Sequence, residues 1–287
     1  MEKHARSLWE IHISVLLFGL SGLFAKFIDL PSIVIVFGRV FFASLALGVL
    51  LMIRKQSIRL SSWKEYAVLS SLGVVLALHW WAFFESIQIA SVAIGVIMYS
   101  TFPIFVSLLE PLFSRKRLLG RDVVLALVTF GGIVLAIPSF DYGSGVLEGS
   151  LIGLISGVSF ALLSIFNRRH VQKRDSAVIA LYQDVIAAVI LLPAALTFPG
   201  TFSIRDILLL VLLGVVFTAM AHALFIQGMK HMEAKTASVI AGLEAVYGIV
   251  FAVILLSEIP SLRTILGGLI VLLASMYATM THSRSLQ

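Results

Sequence analysis

Ionisable side chains inside long apolar segments are the residues of this 287-residue chain most able to do chemistry. Arg39, Asp184 and Glu244 each lie well within such a segment, as do His79 and His222. A charge is costly in hydrocarbon, so each side chain is expected to face the protein interior, where it contacts another polar group or a solute. These five positions are the first candidates for a solute-binding site.

The charged candidates each have a functional and a structural interpretation. Glu244 lies on the order of 12 Å along its helix, at about 1.5 Å per residue. A carboxylate there could attract a cationic or zwitterionic solute or carry a proton, and its structural alternative is a protonated glutamate that hydrogen-bonds a neighbouring helix. Arg39 could bind a solute carboxylate or form an ion pair with Asp184 or Glu244. Asp184 and its neighbour Gln183 are candidate solute ligands, and Asp184 could instead serve only as that ion-pair partner.

Histidine and aromatic side chains extend this set of candidates. A histidine can titrate near neutral pH, but in a membrane it more commonly completes a hydrogen bond between helices, and both interpretations stay open for His79 and His222. Aromatic faces can hold cations or stack on planar ligands, and the aromatic candidates are Trp80, Trp81, Tyr99 and Tyr247. One of the two adjacent tryptophans could instead belong to the aromatic belt at the membrane surface.

The elements that must position these residues are membrane-spanning helices. Hydrophobic residues make up 60% of the chain and charged residues 13%, and the mean hydropathy is +1.06, whereas soluble domains are about half apolar and a quarter charged. A bilayer requires about 20 apolar residues per helix. The sequence therefore predicts an all-α membrane protein with one membrane domain. Its ten predicted spans are 8–28, 32–53, 65–84, 90–112, 122–138, 149–167, 176–198, 206–227, 236–256 and 262–281, with the third and fourth separated at Glu85–Ile89.

Basic residues predict how these spans are oriented. Most of the 21 lysines and arginines lie at the N-terminus, in the loops after spans two, four, six and eight, and in the C-terminal tail. Basic loops tend to stay in the cytoplasm, so both termini are predicted to be cytoplasmic. Residues 1–140 and 141–287 then each contain five spans, which enter the membrane from opposite sides. Gly19-Leu20-Ser21 is echoed by Gly157-Val158-Ser159, which supports an inverted repeat, a common transporter architecture.

Three segments resemble the EamA-like branch of the drug/metabolite transporter superfamily. They are Phe37-Gly38-Arg39-Val40-Phe41-Phe42-Ala43 in span two, Thr101-Phe102-Pro103-Ile104-Phe105 in span four, and Leu243-Glu244-Ala245-Val246 followed by Ser257-Glu258 in span nine. The chain departs from the family pattern at Ala245, where proline is usual, and at Lys116, which stands in the first half where the second has Glu258. The resemblance implies a cavity between spans one to four and six to nine. It also implies small-molecule transport, mostly export of amino acids and related metabolites and in some members import.

The predicted function is secondary transport. The preferred interpretation is export of an amino acid or related small polar metabolite across the cytoplasmic (inner) membrane by alternating access, driven by the solute gradient or by protons. Import of a nucleotide-like or cofactor-like metabolite is the alternative, and a non-transporting membrane sensor or scaffold is an alternative of a different class. The protein is expected to act as a monomer or homodimer.

Residue patterns that the sequence lacks disfavour several other functions. It contains no cysteine, no Gly-x-x-x-x-Gly-Lys phosphate loop, no His-Glu-x-x-His pair and no Gly-x-Ser-x-Gly elbow. An enzyme, direct coupling to ATP, a cofactor and a metal site are therefore not predicted. The isoelectric point is about 9.7, but the basic residues lie in loops between spans, so a nucleic-acid partner is not predicted either.

Overall fold

A computed structural model describes residues 2–114, 118, 120–140, 144–232, 237 and 240–283. The regular elements among these residues are all helical, which confirms the predicted all-α class. Several basic residues that were used to predict the orientation lie outside the described residues, namely Arg115, Lys116, Arg117, Lys235 and Arg284.

The α-helices follow one another along the chain with short connections. They are α1 (Glu2–Ser21), α2 (Phe24–Phe27), α3 (Ser32–Ile53), α4 (Trp63–Ile89), α5 (Val92–Tyr99), α6 (Phe102–Ser114), α7 (Gly120–Ala136), α8 (Val146–His170), α9 (Ser176–Leu196), α10 (Ile204–Gly214), α11 (Ala221–Gly228), α12 (Leu243–Leu256) and α13 (Leu262–Ser283). A π-helical turn, Val215–Met220, joins α10 to α11, and a 3₁₀ turn, Met229–His231, follows α11.

Seven helical segments of the described residues are long and apolar enough to cross a bilayer, judged by length and composition. They are Ala5–Phe27, Ser32–Ile53, Trp63–Ile89, Val92–Phe113, Val146–His170, Ser176–Leu196 and Ile204–His231. Two shorter apolar helices, Leu243–Leu256 and Leu262–Ala278, follow them. The predicted span at 122–138 corresponds to α7, which has 17 residues. The membrane class is thus supported, whereas the count of ten spans remains a prediction.

The predicted boundary between spans three and four is wrong. We expected a break at Glu85–Ile89, but α4 continues through Ile89, and Ser91 caps the start of α5 instead. The polar residues at this end of α4 have hydrogen-bond partners elsewhere in the chain. The Ser32 hydroxyl donates to the Glu85 carboxylate, and the Gln88 amide donates to two backbone carbonyls of the segment before α3, at 2.9 and 3.2 Å.

Helices of the two predicted halves pack against each other in equivalent pairs. Helix α4 (span three) packs along α8 (span six), as α11 (span eight) packs along α1 (span one). Helices α5 and α6 (span four) also pack along α8, as α12 (span nine) packs along α1. Helix α3 crosses α9, and α7 packs against α13. In these pairs, a contact between the halves has a counterpart in which the roles of the halves are reversed.

Two glycines allow close approach at the equivalent contacts. A Cβ atom at Gly19 would lie 3.1 Å from the Glu244 carbonyl oxygen and 2.8 Å from the Cβ of Tyr247. A Cβ atom at Gly157 would lie 3.3 Å from the Tyr99 carbonyl oxygen. These glycines, which form part of the sequence echo, hold α1 and α8 against the helices that carry Glu244 and Tyr99.

Candidate functional site

The charged candidates and both candidate histidines meet in one buried group of side chains. Each member is at most 2% exposed, and the members come from α3, α4, α5, α9, α11 and α12. This central cluster consists of Arg39, His79, Trp80, Tyr99, Asp184, His222 and Glu244. Both predicted halves contribute, so the cluster lies where the halves pack together. The other candidates, Gln183, Trp81 and Tyr247, lie outside it.

Arg39 is held on one edge and one face of its guanidinium group. Its Nε donates to the Thr218 hydroxyl at 3.0 Å, and its Cζ lies 3.4 Å from the centre of the Trp80 ring and 5.0 Å from that of Phe84. Such distances are within the range of cation–π attraction. The two terminal nitrogens, Nη1 and Nη2, have no hydrogen-bond partner among the described residues.

The partner of Arg39 stands on the π-helical turn. Thr218 donates its own hydroxyl hydrogen to the Leu213 carbonyl, five residues earlier, at 2.8 Å, and π-helical turns are frequent at functional sites. Gly214, just before this turn, brings α10 against α3, because a Cβ atom there would lie 2.8 Å from the Arg39 carbonyl oxygen and 2.5 Å from the Cβ of Phe42. The backbone around Arg39 is therefore fixed by tight helix packing.

Changing Gly214 to valine is expected to lower the stability of the purified protein by about 1–3 kcal/mol, because the added side chain overpacks the contact between α3 and α10. The measurement is the thermal melting of the detergent-solubilised protein. Gly48→Val in α3 is the matched control, because no atom lies within 4 Å of a Cβ atom built at Gly48. Equal melting temperatures for the two variants would contradict the close-approach argument.

Asp184 and His222 form a loose pair across α9 and α11. The His222 Nδ1 lies 3.9 Å from the Asp184 Oδ1, and neither carboxylate oxygen of Asp184 has a hydrogen-bond partner among the described residues. The neighbouring Gln183 is engaged elsewhere, because its amide donates to Asn167 Oδ1 in α8 at 2.6 Å. Gln183 thus ties α9 to α8, whereas the Asp184 carboxylate is free to take another partner.

His79 completes a contact between α4 and α8. Its Nδ1 lies 3.0 Å from both the carbonyl oxygen and the hydroxyl oxygen of Ser156. Its ring packs against Trp80, Phe160 and Tyr99, with centroid distances of 4.6, 4.9 and 5.6 Å. This geometry fits the helix–helix alternative for His79 and makes its ring one wall of the central cluster.

Glu244 meets Tyr99 where two spans are interrupted. Helix α5 ends at Tyr99 before a short turn leads into α6, and α12 begins at Leu243 directly after Gly242. The Tyr99 hydroxyl and the Glu244 carboxyl group lie close enough to interact, and Glu244 Oε2 has no hydrogen-bond partner among the described residues. Interrupted helices that face each other at mid-membrane are a common way to build a solute site in transporters.

Trp81 and Tyr247 project away from the central cluster. Trp81 follows Trp80 by about 100° around α4 and is only half-buried. Tyr247 is also half-buried and lines a surface groove of about 620 Å³ between α1 and α12, together with Trp9 and His12.

Thr218 is the site residue that sequence reasoning missed. It is fully buried and contacts Arg39 directly, yet a single threonine in an apolar span is not unusual. A weak signal was present, because Thr218 precedes His222 by four residues and residues at that spacing share a helix face.

A cavity approaches the central cluster from the side of the predicted cytoplasmic loops. Its volume is about 500 Å³, and it lies between α1, α3, α9 and α11, with Arg54 at one end and Leu47 and Ala219 in its wall. Leu47 lies about two turns along α3 from Arg39. The residues of the central cluster do not line this cavity.

Known proteins resemble this chain over nearly its whole length. An uncharacterized transporter of Bacillus subtilis (strain 168) is 26% identical over 94% of this chain and 88% of its own length. An S-adenosylmethionine uptake transporter of Rickettsia bellii is 22% identical over 90% of this chain and 87% of its own. A pseudopaline exporter of Pseudomonas aeruginosa is 27% identical over 82% of this chain and 83% of its own. A crystal structure of another protein aligns over 98% of both chains with a TM-score of 0.71 and 17% identity. This likeness shows similarity of fold only.

The family comparison agrees with the motifs noted in spans two, four and nine. Residues 8–137 and residues 147–280 each match the EamA-like transporter family, so the predicted resemblance is confirmed. The long apolar helices and the transporter relatives agree with a multi-pass integral membrane protein that handles a small metabolite. This chain belongs to the EamA-like transporter family of the drug/metabolite transporter superfamily.

Proposed function

We propose that the protein is a secondary transporter that moves a small polar metabolite across the cytoplasmic membrane by alternating access, with the central cluster as its solute site. One observation carries this proposal. Arg39, Asp184 and Glu244 are fully buried together, and each keeps hydrogen-bonding atoms without a partner among the described residues. Folded proteins rarely leave buried polar atoms unpaired, so the free atoms are candidates for binding a polar solute.

The solute that matches these atoms is a zwitterion such as an amino acid or a related metabolite. The Nη atoms of Arg39 are donors for a carboxylate, and Asp184 and Glu244 offer free oxygens to an amine. The Arg39 guanidinium is not paired with either carboxylate, because among the described residues no carboxylate lies within 4.0 Å of it. Export is the preferred direction, and the similarity to a pseudopaline exporter supports it.

A second candidate is import of a nucleotide-like or cofactor-like metabolite. Its support is the aromatic wall of the cluster, where Tyr99 stacks on Phe102 at 5.2 Å and Trp80, His79 and Phe160 lie close by. Such faces can hold a planar ring. Similarity to S-adenosylmethionine uptake transporters points the same way.

The proposed mechanism uses two five-span repeats, residues 1–140 and 141–287, that rock against each other. The reversed packing pairs support this division, as does the match of one family to each half of the chain. In a ten-span protein with cytoplasmic termini, the second repeat is inverted relative to the first, and both repeats contribute side chains to the central cluster. Protons are a candidate coupling ion.

Transport by the purified protein in liposomes tests the proposal. The panel contains labelled L-amino acids, the amines left when their carboxyl groups are removed, nucleosides and S-adenosylmethionine. We expect exchange of at least one amino acid at a rate well above that of empty liposomes, with weaker exchange of the matching amine. Exchange of the nucleoside compounds alone would favour the second candidate, and no exchange of any compound would favour a sensor or scaffold.

A further inference from the structure

The Arg39 guanidinium has one open edge in an otherwise closed environment. Its Nε edge is taken by Thr218 at 3.0 Å, and Trp80 covers one face at 3.4 Å. The edge formed by Nη1 and Nη2 has no partner in the described part of the chain. A guanidinium presents its donors in a rigid plane that matches the two oxygens of a carboxylate. The open edge is therefore shaped for a carboxylate in the plane of the group.

The acidic residues nearby do not fill that edge. Glu244 lies beside the Tyr99 hydroxyl, and the nitrogen atom within 4.0 Å of the Asp184 carboxylate among the described residues is His222 Nδ1, at 3.9 Å. Neither carboxylate lies within 4.0 Å of the Arg39 guanidinium. An arginine that served only to pair with an acid would be expected to contact that acid directly.

Thr218 determines which edge stays open. Because its hydroxyl hydrogen is donated to the Leu213 carbonyl at 2.8 Å, its oxygen can only accept from Arg39. In an ordinary α-helix, a threonine hydroxyl bonds a carbonyl three or four residues earlier. The π-helical turn places the carbonyl five residues earlier within reach and so sets the direction of the remaining lone pair.

We infer that Thr218, on the π-helical turn, positions Arg39 as a subsite for a carboxylate group of the transported solute. This inference rests on the proposed function and narrows it to solutes that carry a carboxylate. The hydrogen bond joins α3 of the first half to the π-helical turn of the second half. The subsite is therefore assembled only when the two halves hold the relation seen in this structure.

Binding to the purified protein tests the inference separately from transport. The probes are L-amino acids of the panel, each beside the amine that lacks its carboxyl group, and the readout is thermal stabilisation as a function of probe concentration. We expect wild-type protein to prefer the amino acids. Thr218→Val should weaken amino-acid binding about tenfold, as expected for loss of a hydrogen bond to a charged group, and should leave amine binding unchanged. Thr218→Ser keeps the acceptor oxygen and should bind nearly as wild type does.

Two further variants keep the test decisive if Thr218→Val does not fold. Thr218→Cys offers a weak sulfur acceptor and should lose amino-acid affinity to an intermediate degree. Arg39→Lys keeps the charge without the paired Nη donors and should lose the preference for amino acids over amines. Equal effects of Thr218→Val or Thr218→Cys on both probe types would overturn the inference. If wild type binds and prefers amino acids but transports nothing, the proposed function fails while the subsite stands.

Discussion

Replacing Arg39 by alanine is expected to reduce transport by about a hundredfold or more, with a much smaller loss of inserted protein. The change removes the buried cation that faces both Asp184 and Glu244 and removes the free Nη donors. Two carboxylates then remain in the interior without a compensating charge, and a solute carboxylate has no partner. The measurement is the initial rate of solute exchange in liposomes, normalised to the amount of inserted protein.

The double variant Arg39→Ala with Asp184→Asn tests whether Arg39 binds the solute or only balances the charge of Asp184. It removes one buried negative charge together with the positive one, so an arginine needed only as an ion-pair partner would no longer be required. Because no salt bridge joins Arg39 to Asp184 among the described residues, we expect the double variant to remain inactive. Full recovery of transport would remove Arg39 from the set of solute ligands.

Lys26→Ala is a suitable control for nonspecific loss of a basic residue. Lys26 is exposed near the end of α2, and its Nζ donates to the Gln88 carbonyl at 3.3 Å, away from the central cluster. Its removal is expected to leave the exchange rate close to that of wild type. A large effect at Lys26 would mean that net charge, and not the position of Arg39, governs the rate.

The charged residues of the central cluster were predictable as a set because a single physical rule selects them. Arg39, Asp184 and Glu244 interrupt apolar segments, and the cost of a charge in hydrocarbon directs each toward the interior. Their assembly in one place follows from that cost, since an isolated buried charge is worse than a group of opposite charges. The same rule does not specify which atoms contact each other.

The hydrogen bond from Arg39 to Thr218 could not have been predicted from sequence. It depends on a π-helical turn at Val215–Met220, a segment without glycine or proline, and on contact between residues 179 positions apart. Which of Trp80 and Trp81 faces the cluster was likewise undetermined, because the two are adjacent in the sequence and the rotation of α4 decides between them. Local pattern predicts a helix, whereas its rotation is set by packing against distant helices.

The misplaced boundary of α4 has the same cause. Glu85 and Gln88 are polar residues at the end of an apolar segment, a pattern that predicts a loop. Their partners are Ser32 and the backbone before α3, more than fifty residues away in the chain. A helix can carry polar side chains at its end when another segment supplies their hydrogen bonds, and that segment is known only once the fold is known.

Replacing Glu244 by glutamine is expected to reduce the exchange rate at least tenfold and to flatten its dependence on pH. Glutamine has nearly the same shape, and its carbonyl oxygen can accept a hydrogen bond from the Tyr99 hydroxyl, which lies beside Glu244. The contact between α5 and α12 is therefore retained, and we expect thermal melting close to that of wild type. What is lost is the ability to ionise, and with it the ability to exchange a proton for the amine of a solute as access changes sides.

Tyr99→Phe and Asp184→Asn identify the source of any change in the pH profile. The first removes the hydroxyl beside Glu244 and leaves the Glu244 carboxyl group, so a pH-dependent rate should persist if that carboxyl group itself carries the proton. Asp184→Asn removes the other buried carboxylate, which lies 3.9 Å from His222. The pH dependence lost in this variant is the part that depends on Asp184 and His222. The structural alternative for Glu244 predicts that, of the two Glu244 variants, only Glu244→Ala causes damage, because alanine cannot interact with the Tyr99 hydroxyl whereas glutamine can. A wild-type rate and an unchanged pH profile in Glu244→Gln would therefore assign Glu244 to helix packing, and the amine of the solute would have to be bound by Asp184 alone.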